Sequence, residues 1–355
     1  MSVVASIKNF VRTSKLYKAY GEALLRQREQ KRFLAEADRE LVGLDDYEKD
    51  KVRRAYRRDL RRHMFTFSEW YHQYGLKDKS EAEKEEYISR SRAQKWYRRL
   101  ISKDIRALFH EKPLFLSYFS GTGHIRRSTL AAIASTSVED LKDRFAERDI
   151  IVKPQTGSLG AGVRKIDTRK FTDSDWCKLL DECIKGNCLV EECIIGATPL
   201  QQFHPSSLNT IRVQTAYSPD GAFGFGSFVR FGRGGSVIDN AHGGGIYCTV
   251  DVNSGTLLTD AYDVDGHTYT VHPDTGLTFK GFVIPQRGEI LAACCSAHNR
   301  VHTPFVGWDV CINFKGEVEF IEGNHAPDMD IIQGPLKRGY RKQFEIVCRD
   351  FENHK

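Results

Sequence analysis

The chain has 355 residues, of which 40% are hydrophobic and 28% charged, values that are ordinary for a soluble globular protein. No apolar run is long enough to span a bilayer, and the N-terminus lacks the continuous apolar stretch of a secretory signal. Nine cysteines without zinc-finger spacing indicate free thiols and predict a cytoplasmic location. The net charge of +6 is uneven, because residues 1–110 hold 27 basic and 17 acidic residues while the remainder is net acidic.

Residues 8–106 form a proline-free, glycine-poor block in which apolar residues recur at helical spacing. This pattern predicts several helices, with breaks near Gly43 and Gly75. Paired arginines recur every four residues from Arg53 to Arg62 and therefore follow one helix face. The stripe is either a solvated face balanced by nearby acids or a contact surface for an anionic membrane, a protein partner or a phosphorylated substrate. No zinc ligands or paired aromatic strands accompany it, so we do not expect nucleic acid as a partner.

Beyond residue 110 the sequence changes to short β-type runs separated by glycine-rich turns, which predicts a mixed helix-and-sheet fold. Helices are expected over 137–147, with Ser137 as the N-cap, and over 172–185 and 287–302. Strands are expected over 150–153, 188–191, 210–217, 223–231, 283–285 and 308–314.

Residues 151–163 read as a strand, a glycine loop and a second strand. The spacing of Gly157, Gly160 and Gly162 matches neither a Walker loop nor a dinucleotide fingerprint. Glycines let backbone N–H groups converge on a phosphate, and Lys153 would add a positive charge for a phosphate oxygen. A plain hairpin turn explains the loop by itself equally well.

Residues 307–324 contain two alternating runs joined at Lys315-Gly316, which predicts a β-hairpin with a two-residue turn. In that register Phe314 opposes Glu317. Counting back along both strands from this pair fixes every other pair of the hairpin.

Asp309 then lies directly opposite Glu322, and Asn324 projects from the same face. Like charges destabilise directly opposed positions, and a magnesium ion removes that penalty because it prefers oxygen ligands. We therefore expect Asp309, Glu322 and Asn324 to bind Mg²⁺. The alternative is that the two acids lie in water at frayed hairpin ends.

A set of short motifs occurs in order between residues 110 and 335, and it resembles ATP-grasp proteins, most closely the sugar-transfer associated ATP-grasp group of polysaccharide biosynthesis. The resemblance implies an α+β fold in which two subdomains grip ATP, preceded here by a basic helical region. It divides the chain into residues 1–110, a small lid subdomain over 111–190 and a C-terminal subdomain with the metal site over 191–355. The matching stretches are 152–154, 157–158, 160–163, 189–194, 204–212, 230–233, 237–240, 243–246, 307–309 and 321–324.

The resemblance also implies roles for particular residues. The expected nucleotide-binding positions are Lys112 and Lys153 at the phosphates, Gly157, Ser158, Gly160 and Gly162 in the covering loop, and Glu191, Glu192 and Ile194 at an adenine-reading hinge. Asp309, Glu322 and Asn324 match the magnesium ligands of the family.

Lys153, Arg212 and Arg230 are the expected catalytic residues, with the arginines stabilising charge on the transferring phosphoryl group. Candidate substrate-binding residues are Arg233, Asp239, Asn240 and His204. Purely structural roles are the alternatives for these residues. Arg212 could be a structural ion-pair partner, Arg233 a turn residue, Asp239-Asn240 an ordinary loop, and His204 a hydrogen-bonded structural histidine.

The leading hypothesis is an ATP- and Mg²⁺-dependent ligase that joins a small-molecule carboxylate to an amine through an acyl phosphate, on a sugar acid or polysaccharide precursor. One alternative is a phosphotransferase that phosphorylates a small molecule or sugar. Another is a non-catalytic nucleotide-binding protein whose basic helices dock to a partner. The expected location is cytoplasmic, with peripheral contact at the inner membrane face.

Overall fold

The structure, a computed structural model, describes residues 15–157 and 160–354. Its N-terminal part is helical, as predicted, and the chain breaks between helices at Gly43 and Gly75, both of which have positive φ. The helices of this part are α1 (Lys15–Glu40), α2 (Asp46–His63), a π-helical segment (Glu69–Gln73), α3 (Glu81–Glu85), α4 (Arg90–Leu100), α5 (Lys103–His110) and α6 (Lys112–Phe119).

The N-terminal helices enclose a core of their own, rich in aromatic side chains such as Tyr56 and Trp70. Asp59 of α2 is buried within it and accepts a hydrogen bond from Trp70 Nε1 at 2.8 Å, while Lys84 Nζ lies 2.7 Å away from the same carboxylate. The arginine stripe follows the outside of α2, and Arg62 pairs with Glu81 at 3.2 Å. The stripe is therefore solvent-exposed and partly balanced by acids.

A four-stranded antiparallel sheet follows, here called the small sheet. Its order is β1-β4-β2-β3, and α7 (Val138–Phe145) and α8 (Asp173–Lys185) pack on it around Trp176. Ser137 and Thr172 cap these two helices with reciprocal hydrogen bonds, which confirms both predicted helix starts. The strands are β1 (Thr129–Leu130), β2 (Asp149–Pro154), β3 (Arg164–Asp167) and β4 (Cys188–Glu192).

The large sheet has seven antiparallel strands in the order β11-β10-β5-β6-β7-β8-β9. On β10 (Phe305–Ile312), Trp308 and Val310 face a core shared with α6 and α10 (Arg287–His298), and Asp309 between them faces the opposite side. The remaining elements are α9 (Thr198–Gln201), β5 (Ile211–Ala216), β6 (Phe223–Phe231), β7 (Ile246–Val250), β8 (Ala261–Tyr262), β9 (Thr268–Tyr269), α10 (Arg287–His298), β10 (Phe305–Ile312), β11 (Val318–Asn324), α11 (Asp330–Leu336) and α12 (Arg341–Asn353).

One predicted strand and the end of one predicted helix were wrong. The strand expected over 283–285 is a single bridge between Val283 and Thr256, because no longer strand among the described residues pairs with it. The helix expected over 287–302 ends at His298, because the next N–H groups bond three residues back in a tight turn, as Val301 does to the carbonyl of His298 at 2.9 Å. The division of the chain at residues 110 and 190 stays a prediction. Within the described residues, no helix is both long and apolar enough to cross a membrane.

Candidate active site

A cleft of about 390 Å³ separates the small sheet from the large sheet. Ile151 and Val163 line it from the small sheet, and Leu208 and Ile238 line it from the large-sheet side. These four side chains are only partly buried, unlike most aliphatic side chains of the two cores. An apolar slot of this kind suits a flat ring such as a nucleobase. We call this cavity the first cleft.

Lys153 of β2 lies at the wall of the first cleft inside a buried ion network. Its Nζ is 2.5 Å from Glu191 Oε1, and Glu191 Oε2 accepts a hydrogen bond from Arg127 Nε at 2.9 Å. Burial lowers the pKa of Lys153, and the charge of Arg127 lowers it further against the pull of Glu191. Burial alone would raise the pKa of Glu191, but Arg127 and Lys153 outweigh it and lower that pKa. Glu191 is thus an ionised anchor that uses one of the three donors of Lys153.

The glycine loop borders the first cleft. Gly157 and Gly160 line the cleft with φ of 114° and 74°, values that a side chain would strain. Lys112, at the start of α6, donates from Nζ to the carbonyl oxygen of Gly157 at 3.2 Å. Lys112 therefore tethers the loop from outside the small sheet.

Gly162 has a different role in the loop. Its φ is 73°, and a Cβ at this position would come within 3.0 Å of Pro154 Cγ. The glycine thus permits close packing of the two loop strands. Ser158, the remaining predicted loop residue, lies outside the described residues.

The turn of the β10–β11 hairpin differs from the predicted two-residue turn. Asn313, not Phe314, pairs with Glu317, through a 2.9 Å hydrogen bond from Asn313 N–H to the carbonyl oxygen. Phe314, Lys315 and Gly316 form a three-residue loop with Gly316 at φ 79°. The cause is the Asn313 side chain, whose Oδ1 accepts the N–H groups of Lys315 and Glu317.

A bulge on β11 then restores the register at the predicted metal site. Val310 pairs with Phe320, whereas Asp309 pairs with Glu322, so Ile321 is an extra residue between them. The prediction that Asp309 lies directly opposite Glu322 is confirmed. The predicted turn was off by one residue, and the bulge compensates for that shift.

Asp309 is buried between two arginines of neighbouring strands. Arg212 of β5 donates from Nε to Oδ1 and from NH2 to Oδ2, the latter at 2.7 Å. Arg230 of β6 places NH2 3.0 Å from Oδ2 and also bonds to Thr210 Oγ1. Burial alone would raise the pKa of Asp309, but the two guanidinium groups hold it well below its usual range. Asp309 is therefore ionised.

Glu322, opposite Asp309, has a raised pKa because of burial and the charge of Asp309. Asn324 shares its face, and Asn324 Oδ1 accepts the N–H of Ala326 at 2.9 Å. Two carboxylates and an amide oxygen on one face are the hard oxygen donors that Mg²⁺ takes. The repulsion that raises the pKa of Glu322 is what a divalent cation relieves. These residues fit the ion.

The segment after β4 connects the small sheet to the large one. Ala197 N–H donates to the carbonyl of Ile312 on β10 at 2.8 Å. Glu192 at the end of β4 and Ile194 on this connection line the first cleft. Glu191 also lines the cleft, but its carboxylate is engaged by its ion pairs with Arg127 and Lys153.

His204 lies away from the lining of the first cleft. It is 2% exposed, and its Nδ1 is 3.0 Å from Ser207 Oγ. Burial lowers its pKa. Asn209, with φ of 53°, donates to the carbonyl of His204 at 2.8 Å. This is the environment of a structural histidine that holds the entry to β5.

Of the other predicted substrate residues, one connects loops and two line the first cleft. Arg233 donates to the carbonyl of Gly244 at 2.6 Å and to Tyr269 Oη at 2.5 Å, so it ties loops together. Asp239 lines the first cleft, and its carboxylate accepts the N–H of Thr210 at 2.6 Å. Asn240 also lines the first cleft.

Sequence reasoning missed Arg127, the residue that joins the two sheets. Its guanidinium bonds to Glu191 of β4, to Glu319 Oε1 of β11 at 3.2 Å and to the carbonyl of Phe320 at 2.8 Å. The sequence signal for it is Glu319, an acid among apolar hairpin positions, since a buried acid requires a cation.

The profile of the sugar-transfer associated ATP-grasp family matches residues 91–349. The chain belongs to this family. The predicted ATP-grasp fold is confirmed with it. The match begins inside α4, so α1 to α3 and the π-helical segment of this ATP-grasp protein lie outside the matched residues.

Several solved structures resemble this ATP-grasp protein at low similarity. N5-carboxyaminoimidazole synthetase from Staphylococcus aureus, complexed with ADP, aligns with TM-score 0.42 and 11% identity over 69% of this chain and 53% of that chain. D-alanyl-alanine synthetase A from Vibrio cholerae O1 biovar eltor aligns with TM-score 0.43 and 11% identity, over 70% of this chain and 65% of that chain. The ATP-grasp ligase PsnB, complexed with minimal precursor, Mg and ADP, aligns with TM-score 0.43 and 13% identity, over 74% of this chain and 67% of that chain. The chain thus spans about half of the synthetase with ADP. No curated protein matches it.

Proposed function

We propose that this ATP-grasp protein is an ATP- and Mg²⁺-dependent ligase that joins a carboxylate to an amine through an acyl phosphate. A sugar acid or polysaccharide precursor is the proposed carboxylate, in keeping with the family's association with sugar transfer. One observation carries the proposal. The opposed pair Asp309 and Glu322, with Arg230 beside it, lines the same cleft as Lys153.

In this proposal the nucleobase occupies the apolar slot between Ile151 and Ile238, and Lys153 and the loop N–H groups bind the phosphates. Asp309, Glu322 and Asn324 hold magnesium, which supplies charge neutralisation on the phosphates when bound. Because Lys153 and Asp309 are buried, their charges act more strongly than they would in bulk solvent.

The proposed reaction has two steps. A carboxylate oxygen of the acid attacks the γ-phosphorus of ATP, the bond from that phosphorus to the β,γ-bridging oxygen breaks, and ADP leaves. A neutral amine then attacks the carbonyl carbon of the acyl phosphate, phosphate leaves, and the amine loses a proton. Arg212 and Arg230 stabilise negative charge on the phosphoryl group and the tetrahedral intermediate.

ADP release over a panel of uronic acids and amines, with product masses, tests the proposal. We expect release only when acid and amine are both present, and a product whose mass equals their sum minus water. Glu322→Gln should abolish release, whereas the matched Glu317→Gln, at the turn of the same hairpin, should retain it. A phosphorylated product formed without amine would instead establish the phosphotransferase alternative.

Location and partners are part of the proposal. All nine cysteines are free thiols, which supports the cytoplasm. Contact with an anionic inner membrane face or a protein partner would use the exposed arginines of α2, such as Arg54, Arg57 and Arg61. Co-sedimentation with anionic vesicles, compared with zwitterionic ones, tests the membrane arm; equal recovery would exclude it.

A further inference from the structure

A second cleft of about 840 Å³ adjoins the first cleft. The two share Gly157, Arg230, Asn240 and Glu322 in their linings. Under the proposed function, these residues surround the transferring phosphoryl group. A molecule in the second cleft therefore reaches the reacting end of ATP.

The outer wall of the second cleft is the N-terminal helical part. Phe33 of α1, Glu69 and Gln73 of the π-helical segment, and Arg98 of α4 line it. The first three precede the residues matched by the family profile, so most of this wall is built from chain outside that match. Single π-helical turns are rare and occur frequently at functional sites.

The face opposite this wall is the side of the large sheet that bears Asp309. Arg212, Arg230 and Tyr247 lie on this side, and Tyr247 pairs with Arg230 across β6 and β7. Asp330 begins α11, which packs against β6 and β7, and it lines the same cleft as Tyr247. The cleft thus runs from an arginine end to an end that contains Asp330.

Asp330 and Gln73 have oxygen atoms that lack a partner. Asp330 is 6% exposed, and its Oδ2 accepts from Arg90 NH2 at 2.6 Å, but its Oδ1 has no hydrogen-bond donor among the described residues. The same holds for Oε1 of Gln73, on the π-helical segment that packs against α11. Both residues line the second cleft. Unpartnered acceptors at such a place call for donors on a ligand.

Acidic side chains gather at this end of the cleft. Glu69 is 1% exposed, and burial together with the charge of Asp330 raises its pKa to about 7. Arg90 is the guanidinium shared among Glu69, Asp328 and Asp330. The ammonium of Lys337 donates to the main-chain carbonyl of Gln73 instead. The guanidinium of Arg90 satisfies Oδ2 of Asp330 but leaves Oδ1 open, so a ligand group that donates hydrogen bonds, such as an ammonium, would complete the site.

We propose that the second cleft binds the carboxylate substrate, and that this substrate also carries an ammonium group. The carboxylate lies at the arginine end, beside Arg230 and Glu322, and the ammonium lies against Asp330 and Gln73. A compound with both groups matches the two charged ends of the cleft, and its source is either an amino acid or an amino sugar acid. The inference rests on the proposed function for the reaction, but the binding itself needs no turnover.

Saturation-transfer NMR on the full chain tests the binding directly. The probes are 2-amino-2-deoxyglucuronic acid and L-lysine, each compared with its N-acetylated form (Nε-acetyl for lysine), and glucosamine, which has no carboxylate. We expect at least one probe to bind about tenfold or more tightly than its acetylated form, because a hydrogen bond to a charged group is lost. The probe that shows the preference identifies the source of the substrate. Equal binding of both pairs overturns the proposal.

Two variants locate the ammonium. Asp330→Asn should remove the preference for the free ammonium over the acetylated form. Asp173→Asn is the control and should keep that preference. Asp173 also begins a helix and pairs with a cation, Lys142 at 2.6 Å, but it does not line this cleft. Gln73→Leu leaves the ion pairs intact and should weaken the same preference. If circular dichroism shows that Asp330→Asn is unfolded, Gln73→Leu is used in its place. A preference unchanged in folded variants overturns the proposal.

The outcome separates this inference from the ligase proposal. If the preference for the free ammonium depends on Asp330 but no acid and amine give ADP release, the ligase proposal is wrong and the proposed ligand of the second cleft is retained. If ADP is released but no probe shows this preference, the ligase proposal is retained and the proposed ligand of the second cleft is wrong.

Discussion

Asp309 and Glu322 face each other across β10 and β11, and Ile321 is the bulged residue beside them. The three-residue turn shifts the hairpin by one position, and the bulge shifts it back before the carboxylates are reached. Ile321 itself lines the first cleft. Bulges commonly re-aim side chains next to active sites, and this one keeps both carboxylates on the cleft face.

The two carboxylates should differ in what their removal does to stability. Asp309→Asn leaves Arg212 and Arg230 without their carboxylate, so we expect a loss of about 3–5 kcal/mol in the free energy of unfolding. Glu322→Gln should cost at most about 1 kcal/mol, because glutamine keeps the shape of the side chain and removes the charge that opposes Asp309. Urea unfolding without magnesium measures both. Equal losses would contradict the assignment of the charge to Asp309.

The two lysines of the phosphate region should contribute unequally to nucleotide affinity. Lys153→Met removes a buried ammonium and should weaken ATP binding about tenfold or more. Lys112→Met should cost only about two- to threefold, since Lys112 donates to the Gly157 carbonyl and acts through the loop. Calorimetric titration with ATP and magnesium measures both. A loss with Lys112→Met as large as with Lys153→Met would indicate direct phosphate contact by Lys112.

His204 should matter for stability rather than for chemistry. His204→Gln disturbs the hydrogen bond to Ser207, and we expect a loss of about 1–2 kcal/mol in unfolding free energy. The rate of ADP release per folded molecule should stay within about twofold of the original, a difference worth less than about 0.5 kcal/mol. A rate loss of a hundredfold in a folded variant would restore the predicted substrate role of His204.

Glu69 should make stability depend on pH. Its folded pKa of about 7 lies above the ordinary 4.5, so the folded state binds a proton more readily than the unfolded state between these values. The contribution of Glu69 to stability is therefore complete below pH 4.5 and is lost as pH rises through about 7. The loss amounts to about 3 kcal/mol.

Chemical unfolding at pH 5 and pH 8 checks this dependence. The free energy of unfolding should fall more steeply over this range in the original chain than in Glu69→Gln. Parallel pH profiles in the two proteins would show that Glu69 does not titrate as described.

Local features of the chain could be predicted from the sequence. Ser137 and Thr172 start helices because a cap needs only a side chain and an N–H three residues on. The opposition of Asp309 and Glu322 was predicted from strand alternation, but the turn assumed for it was wrong by one residue and the bulge at Ile321 made up the difference. These signals act over a few residues, or across one tight turn.

Non-local contacts could not be predicted in this way. Arg212 and Asp309 are 97 residues apart in sequence and meet because the sheet order sets β5 beside β10. Arg127 bridges the two sheets, and Asp330 meets the N-terminal helices, with no local pattern to mark either contact.

The amino-acid sequence thus determined the family, the helix starts and the candidate metal carboxylates, since each depends on neighbouring residues or on motif order. Tertiary structure alone decided which charges neutralise Asp309, how Lys153 is anchored and what encloses the second cleft. The physical reason is that ion pairing and desolvation depend on distance in space, and strand order and helix packing, rather than chain spacing, set that distance.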